Sequence, residues 1–246
     1  MKVEGSIVLV TGANGGIGRA LVSELLNRGA AKIYIGARDT ASLQPLLAQS
    51  DKLVPVALDV TKPEQIATAA KIAADVTLLI NNAGTAGFTG ALSAKDLSNA
   101  RQEMEVNYFG VLALTQALRD APAFRNGGAI VNVLSFLALV TLPVAGTYSA
   151  SKSAALALTR TLRAELKPRG VQVLGVLPVQ VDTPLGAPLP EPKLTPADVA
   201  TGTLDALEAG ADEVFPGALS EGAAQAFRND PAALQANLAN AVHSID

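Results

Sequence analysis

Short apolar runs alternate with segments of helical periodicity along most of the chain. The apolar runs predict seven β-strands, at Ile7–Val10, Lys32–Ile35, Leu53–Leu58, Thr77–Asn81, Ala129–Leu134, Val171–Val176 and Glu213–Phe215. The intervening segments predict helices at Gly16–Arg28, Leu43–Gln49, Thr61–Ala73, Ala94–Ala121, Thr147–Lys167 and Thr195–Ala209, followed by a helical tail. Strands this apolar are covered on both faces, and strand–helix alternation is typical of parallel sheets. We therefore predict an α/β fold with one doubly wound parallel sheet flanked by helices on both faces.

Two of the predicted helices begin with a capping signal. Thr61-Lys-Pro-Glu64 and Thr195-Pro-Ala-Asp198 each place a threonine three residues before an acid, with proline in the first turn. At the far end of the first helix, Gly29 suits a left-handed cap. These signals predict where the helices start and stop.

The 246 residues suit one α/β domain spanning 1–246, and 49% hydrophobic residues are enough for a large core. The proline-rich stretch at 184–196 is predicted to be a mobile loop that closes over a substrate. The N-terminus lacks a signal-like stretch, and no segment reaches the about 20 apolar residues that span a bilayer. We expect a cytoplasmic protein that has no membrane partner.

Charge and composition exclude several classes of function. The net charge is −3 and the basic residues form no stripe, so nucleic acid is not an expected partner. The chain has no cysteine, which excludes disulfides and thiolate catalysis. Its single histidine, His243, lies three residues before the C-terminal residue, which argues against histidine metal sites and Ser–His–Asp triads. We predict no metal site.

A glycine cluster follows the first predicted strand. Thr11-Gly-Ala-Asn-Gly-Gly-Ile-Gly18 opens the first helix, where free N–H groups and the helix dipole favour an anion. Glycine permits close approach of the backbone to a pyrophosphate. An ordinary tight turn is the alternative, but the position between strand and helix favours a Rossmann-like dinucleotide site.

A second candidate site combines a helix with a strand end. Tyr148 and Lys152 share one helix face, and Ser135 follows the apolar run Ala129–Leu134. A lysine beside a phenol is expected to lower the pKa of the phenol from its usual value near 10. By itself the pair is weak evidence, because most pairs with this spacing are solvated surface pairs.

Taken together, these motifs resemble those of the short-chain dehydrogenase/reductase family. Gly-x-x-x-Gly-x-Gly, Asn81-Asn-Ala-Gly84 and Tyr-x-x-x-Lys occur in the family's order, as do Asp59-Val60, Asn107 and Ser135. The resemblance implies that Tyr148 is the general acid/base, that Lys152 assists it and binds ribose, that Ser135 holds the substrate oxygen, and that Asn107 holds a relay water. The alternative for Asn107 is hydrogen bonding to helix backbone alone. The implied cofactor-binding residues are Gly12, Asn14, Gly16, Ile17, Gly18, Arg38, Asp59, Val60, Asn82, Ala83, Gly84, Tyr148, Lys152, Val181 and Thr183.

The end of the second predicted strand indicates which nicotinamide cofactor is used. Ala37 stands where NAD-preferring members of the family carry an acid, and Arg38 follows it. An arginine can stack on adenine and pair with the 2′-phosphate of NADP. Asp39 complicates the local charge, and NAD(H) remains the alternative. The sequence favours NADP(H).

The residues expected near the substrate are mostly apolar, namely Phe88, Phe136, Leu137, Leu142, Val144, Val179 and Leu185. They predict a small apolar ketone, aldehyde or alcohol, interconverted by hydride transfer. Val179 replaces a family glycine, and because valine disfavours positive φ we expect a changed loop there. The C-terminal segment through which many family members form tetramers is also absent, so we expect a homodimer first, with a homotetramer as the alternative. The alternatives are epimerase, dehydratase or dehalogenase chemistry on a similar site, and a non-enzymatic NADP(H)-sensing protein.

Overall fold

The computed structural model describes residues 1–125 and 127–240, so His243 lies outside the described residues. Seven parallel strands form one sheet in the order β3-β2-β1-β4-β5-β6-β7. Their bounds are β1 Ile7–Thr11, β2 Lys32–Ala37, β3 Leu53–Ala57, β4 Leu78–Asn81, β5 Ala129–Val133, β6 Gln172–Val176 and β7 Glu213–Val214. The predicted doubly wound sheet is confirmed.

Helices connect the strands and pack on both faces of the sheet. They are α1 Gly16–Asn27, α2 Gln44–Leu47, α3 Pro63–Ile72, α4 Ser98–Met104, α5 Gly110–Ala117, α6 Gly146–Leu166, α7 Pro196–Ala209, α8 Gly217–Asn229 and α9 Pro231–Asn240. None of the described helices combines the length and the apolar character that crossing a membrane requires.

The core has two layers because successive side chains of a strand point to opposite faces. Val8 and Val10 of β1 belong to the cluster that contains Leu21 of α1 and Leu204 of α7. Leu9, which lies between them, belongs to the cluster on the other face, beside α3, α5 and α6. Each face of the sheet is therefore covered by its own helices, as the continuous apolar strands require.

One of the two predicted capping boxes is wrong. α3 begins at Pro63 after Lys62, and the Thr61 hydroxyl donates instead to Asp59 Oδ1 at 2.7 Å. The carboxylate two residues back competes successfully for that hydroxyl. The box at Thr195 is confirmed, because its Oγ1 accepts the Asp198 N–H at 3.1 Å and the Asp198 carboxylate accepts the Thr195 N–H at 3.2 Å.

The predicted helix from Ala94 to Ala121 is shorter and interrupted. It begins at Ser98, passes through a π turn at Glu105–Phe109 and ends at Ala117. A π turn inserts an extra residue into a helix and is frequent at functional sites. This turn carries the buried Asn107.

The confirmed cap gives a prediction of stability. We expect Thr195→Ala to lower the free energy of unfolding by about 1 kcal/mol, because the Asp198 N–H loses its acceptor. Thr201→Ala is a matched control, since Thr201 is exposed inside the same helix and alanine favours helix there. Urea denaturation followed by circular dichroism measures both variants. Equal stability of the two would show that the cap contributes nothing.

Candidate active site

A cleft of about 1010 Å³ runs along the carboxyl ends of the strands. It crosses the point where the strand order reverses between β1 and β4, which is where open α/β sheets bind ligands. Its size is at the upper end of the range for ligand sites. All but one of the predicted site residues line it, namely Gly12, Asn14, Gly16, Ile17, Gly18, Arg38, Asp59, Val60, Asn82, Ala83, Gly84, Ser135, Tyr148, Lys152, Val181 and Thr183. The exception is Asn107.

The glycine cluster forms a bare backbone surface at the start of α1. Gly12 has φ +63°, and a Cβ there would approach the Ala83 backbone to 3.0 Å. A Cβ at Gly18 would collide with the Gly12 carbonyl oxygen, and one at Gly16 would meet Thr183 Cγ2 at 2.5 Å. Side chains are thus excluded where the helix N-terminus faces the cleft. These residues fit the pyrophosphate of a dinucleotide.

Hydrogen bonds across the strand reversal hold this loop. Thr11 Oγ1 accepts the N–H groups of Asn82 and Ala83, both at 2.9 Å. The Asn82 side chain donates to the carbonyl oxygens of Thr11 and Gly12, at 2.9 and 3.1 Å. Asn82 therefore fixes the end of β1 against the end of β4, in addition to lining the cleft.

The charges around the end of β2 are arranged so that Arg38 faces the cleft. Arg38 lines the cleft and Asp39 does not, and the Asp39 carboxylate accepts the Ala41 N–H at 2.9 Å. Partial burial raises the pKa of Asp59, but hydrogen bonds from Thr61 and the charge of Arg38 outweigh this effect, so that pKa lies below its ordinary value. The ion pairs found within 1–125 and 127–240 do not include Arg38.

Helix α6 and the end of β5 bring the three chemistry-bearing side chains together. Tyr148 and Lys152 are both buried, at 9% and 5% exposure, on one face of α6. Lys152 Nζ donates to the Val133 carbonyl oxygen at 3.0 Å and lies 5.8 Å from the centre of the Tyr148 ring. Ser135 follows Val133 and lines the same cleft, its Oγ accepting the Leu137 N–H at 3.2 Å.

The prediction that the pKa of the Tyr148 phenol is lowered by Lys152 is wrong. Burial raises the pKa of Tyr148 to about 12, with the charge of Glu103 acting in the same direction and the Ser135 hydroxyl opposing both. Burial also lowers the pKa of Lys152 to about 8. The physical reason is that desolvation penalises both charged forms, while the ammonium hydrogen-bonds to Val133.

Asn107 lies behind the wall of the cleft. Its Nδ2 donates to the Thr85 carbonyl oxygen and to Ser151 Oγ, both at 2.9 Å, and its Oδ1 accepts the Thr85 N–H at 3.0 Å. A Cβ on Gly84 would lie 3.4 Å from Asn107 Oδ1 and 3.5 Å from Lys152 Nζ, so the glycine leaves a gap between these atoms. Asn107 can therefore bind the Thr85 backbone and also lie on a proton path toward Lys152.

The loop after β6 avoids the positive φ that Val179 disfavours. Phe88 is the only non-glycine residue with positive φ in the described parts of the chain. The Val179 N–H donates to Ser220 Oγ of α8 at 3.2 Å, and the Val179 side chain packs beside Phe136 and helices α8 and α9. The valine is thus held by the C-terminal helices.

Helices α8 and α9 contribute cleft residues that sequence reasoning missed, namely Leu219, Ala223, Leu234 and Leu238. All seven residues predicted near the substrate also line the cleft. Gln235 fixes α9, because its side-chain amide exchanges two hydrogen bonds with the Thr141 backbone, at 2.9 and 3.0 Å. The sequence signal for this wall was the i, i+4 spacing of Leu219 and Ala223 and of Leu234 and Leu238.

Comparisons with known proteins agree with this site. Residues 6–193 match the family profile described as short chain dehydrogenase. Short-chain dehydrogenase PC-15 of Penicillium crustosum is 39% identical over 188 residues, which is 74% of this chain and 68% of that protein.

Two solved structures share the fold. A short chain dehydrogenase from Burkholderia cenocepacia J2315 in complex with NADP is 47% identical, with TM-score 0.90, over 97% of this chain and 99% of that chain. A 3-ketoacyl-(acyl-carrier-protein) reductase from Brucella melitensis complexed with NADH is 27% identical, with TM-score 0.79, over 87% and 98%. With its glycine loop, its sheet order and its match to the family profile over 6–193, the chain belongs to the short-chain dehydrogenase/reductase family.

Proposed function

We propose that the protein is an NADP(H)-dependent oxidoreductase that interconverts a small apolar ketone or aldehyde and the corresponding alcohol. The observation that carries this proposal is the convergence of Ser135, Tyr148 and Lys152 between a bare glycine loop and an apolar wall. A sensor of the cofactor would not need a proton donor and an oxygen-binding hydroxyl in one place. Oxidoreductase chemistry needs both.

The chain's own residues handle the oxygen and the proton. When bound, NADPH supplies the hydride. In the proposed reaction the Ser135 hydroxyl would donate a hydrogen bond to the carbonyl oxygen of the substrate, and the Tyr148 OH would give that oxygen its proton. Lys152 would bind the ribose of the cofactor, and Asn107 would continue the proton path through the gap at Gly84.

The pKa of the phenol supports the reductive direction. A tyrosine whose pKa is about 12 stays protonated at neutral pH, which is the form that donates a proton to a carbonyl oxygen. The reverse reaction needs the phenolate and therefore becomes more favourable as the pH rises. At neutral pH the protein therefore holds the proton that reduction requires.

The preference for NADP(H) rests on the end of β2. Ala37 offers no carboxylate to a ribose 2′-hydroxyl, and Arg38 faces the cleft as a cation. Asp39, which accepts the Ala41 N–H, is not among the described residues that line the cleft. The similar protein from Burkholderia cenocepacia is in complex with NADP, which supports the same choice.

The preference for apolar substrates rests on the charges around the cleft. Among the described lining residues the charged ones are Arg38, Asp59 and Lys152, and all three belong to the proposed cofactor-binding set. The opposite wall carries phenylalanine, leucine and valine side chains from the loop after β5, the proline-rich stretch and helices α8 and α9. Such a wall binds apolar groups and offers no cation to a carboxylate or phosphate.

Tyr148→Phe tests the proposed chemistry. We expect turnover to fall by about a hundredfold or more, because the proton donor is removed, while NADPH affinity stays nearly intact. Tyr108→Phe is the matched control, since Tyr108 is not among the cleft residues. Purified protein is mixed with NADPH and a panel of apolar ketones, and absorbance of the reduced cofactor is followed. Full activity of Tyr148→Phe would refute the mechanism. Tight NADP(H) binding by the unaltered protein without turnover of any ketone would instead indicate a sensor.

Arg38→Ala tests the cofactor preference. We expect the affinity for NADPH to fall about tenfold or more, because a charge-assisted contact with the 2′-phosphate is lost, and that for NADH to change little. Lys62→Ala is the matched control, since its charge also reaches Asp59 but it does not line the cleft. Fluorescence titration with each cofactor gives both constants. Equal losses for NADPH and NADH would contradict the assignment of Arg38.

Leu238→Ala tests the apolar wall. We expect kcat/KM for a bulky apolar ketone to fall about tenfold, because apolar contact is lost, while that for acetone changes little. Leu92→Ala is the matched control, since Leu92 is 101% exposed and lies outside the cleft. Steady-state kinetics on a series of ketones of increasing size measures the effect. An equal loss on every substrate would show that Leu238 does not select among them.

A further inference from the structure

Two side chains one turn apart clamp the backbone that follows β4. Asn107 binds both the N–H and the carbonyl oxygen of Thr85, at 3.0 and 2.9 Å. Glu103 Oε1 accepts the N–H of Gly87 at 2.7 Å. The pattern imitates the edge of a neighbouring strand, with alternate backbone residues bonded to one partner. We call this set of hydrogen bonds, from Asn107 to Thr85 and from Glu103 to Gly87, the clamp.

The clamp ends directly before a strained residue. Phe88 has φ +46°, a conformation that costs free energy in a residue with a side chain and persists only where its surroundings impose it. Its ring lies 6.2 Å from the ring of Tyr148, centre to centre, within the range of aromatic contacts. The hydrogen bond from the Gly87 N–H to Glu103 constrains the residue directly before Phe88.

Glu103 is an unusual residue for a purely structural position. It is 1% exposed, and its Oε2 has no hydrogen-bond partner among the residues that the structure describes. A buried polar atom without a partner is costly, and a leucine of similar size would avoid that cost. The proposed chemistry uses Ser135, Tyr148, Lys152 and Asn107 and leaves Glu103 without a role.

We propose that Glu103 is a positioning residue of the active site, which holds Phe88 against Tyr148 through Gly87 and places a negative charge beside the phenol. This inference rests on the proposed function, because it assigns Glu103 to the same tyrosine. It also makes Phe88, which is predicted to lie near the substrate, an apolar substrate contact that is held in place beside Tyr148. Phe88 lines the cleft, whereas Glu103 lies behind it.

The effect of the Glu103 charge on the pKa of Tyr148 depends on the other polar groups near the phenol. The groups that face Tyr148 are Lys152 on its own helix, Ser135 at the end of β5 and Glu103 on α4. Burial raises the pKa of the phenol most, the Ser135 hydroxyl lowers it, and the charge of Glu103 raises it further. Removing the charge at position 103 therefore lowers the pKa of Tyr148.

Two substitutions separate the clamp from the charge. Glu103→Gln retains an oxygen acceptor for Gly87 and removes the charge. Glu103→Leu removes both and places an apolar side chain in a buried site, which favours folding. Glu105→Gln is the control, because Glu105 is an exposed acid two residues along the chain.

Hydrogen exchange of the Gly87 amide tests the clamp without substrate or cofactor. We expect about tenfold or faster exchange in Glu103→Leu, since a hydrogen bond to a charged acceptor is lost, and near wild-type exchange in Glu103→Gln and Glu105→Gln. Unchanged exchange in Glu103→Leu would refute the clamp. This result is independent of whether any ketone is turned over, so failure of the proposed function remains distinguishable.

Kinetics tests the link to Phe88 and the charge. We expect Glu103→Leu and Phe88→Ala each to raise KM for a bulky ketone, and the double variant to resemble Phe88→Ala alone. Additive effects would show that Glu103 does not act through Phe88.

The pH dependence of alcohol oxidation tests the charge of Glu103. The rise of kcat with pH should move to lower pH in Glu103→Gln and stay in place in Glu105→Gln. An unmoved profile in Glu103→Gln would overturn the role of the charge.

Discussion

The ammonium group of Lys152 lies under the carboxyl end of β5, where its Nζ donates to the Val133 carbonyl oxygen at 3.0 Å. This bond draws one face of α6 against the end of the strand, and so brings Tyr148 to the edge of the sheet where Ser135 emerges. The burial that makes the contact possible also penalises charge, moving the pKa of the lysine to about 8 and that of the phenol to about 12. The position and the protonation of the site thus have one cause, which is the close packing of α6 on the sheet.

Beyond the carboxyl ends of the strands, the connecting segments have no strand beside them to satisfy their backbone groups. In this protein, polar side chains form those hydrogen bonds to the backbone instead. Asn82 ties β1 to β4, Asn107 and Glu103 clamp the segment after β4, and Gln235 binds the segment after β5. A side-chain amide carries a donor and an acceptor, as a peptide group does, which explains why three of the four are amides. The loops that shape the cleft are therefore fixed from behind, and their apolar side chains are left free to face a ligand.

The sequence was sufficient for the parts of this arrangement that depend on neighbouring residues. The strands lie within a few residues of their predicted bounds, and the glycine loop and Tyr148–Lys152 pair were recognisable from spacing. Thr61 was mispredicted because a nearby carboxylate competed for its hydroxyl. Glu103 and Leu238 were missed for a different reason, since each acts through contacts with segments distant in the chain. The pKa of the phenol was predicted with the wrong sign because spacing reports the neighbouring lysine and not the depth of burial.

The chain departs from the family pattern in two places, namely at Val179, which replaces a glycine, and in its helical tail. The sequence does not show that these two departures are connected, but in the structure they are in contact. Ser220 of α8 accepts the Val179 N–H, and the valine side chain packs into the cluster formed by Phe136 with α8 and α9. A glycine there would contribute no side chain to this cluster, whereas valine packs against it and continues the apolar wall. The matched family profile ends at residue 193, before α8 and α9, while the proposed chemistry lies within it. The substrate end of the cleft can therefore change through these two helices without altering the residues that carry the proton.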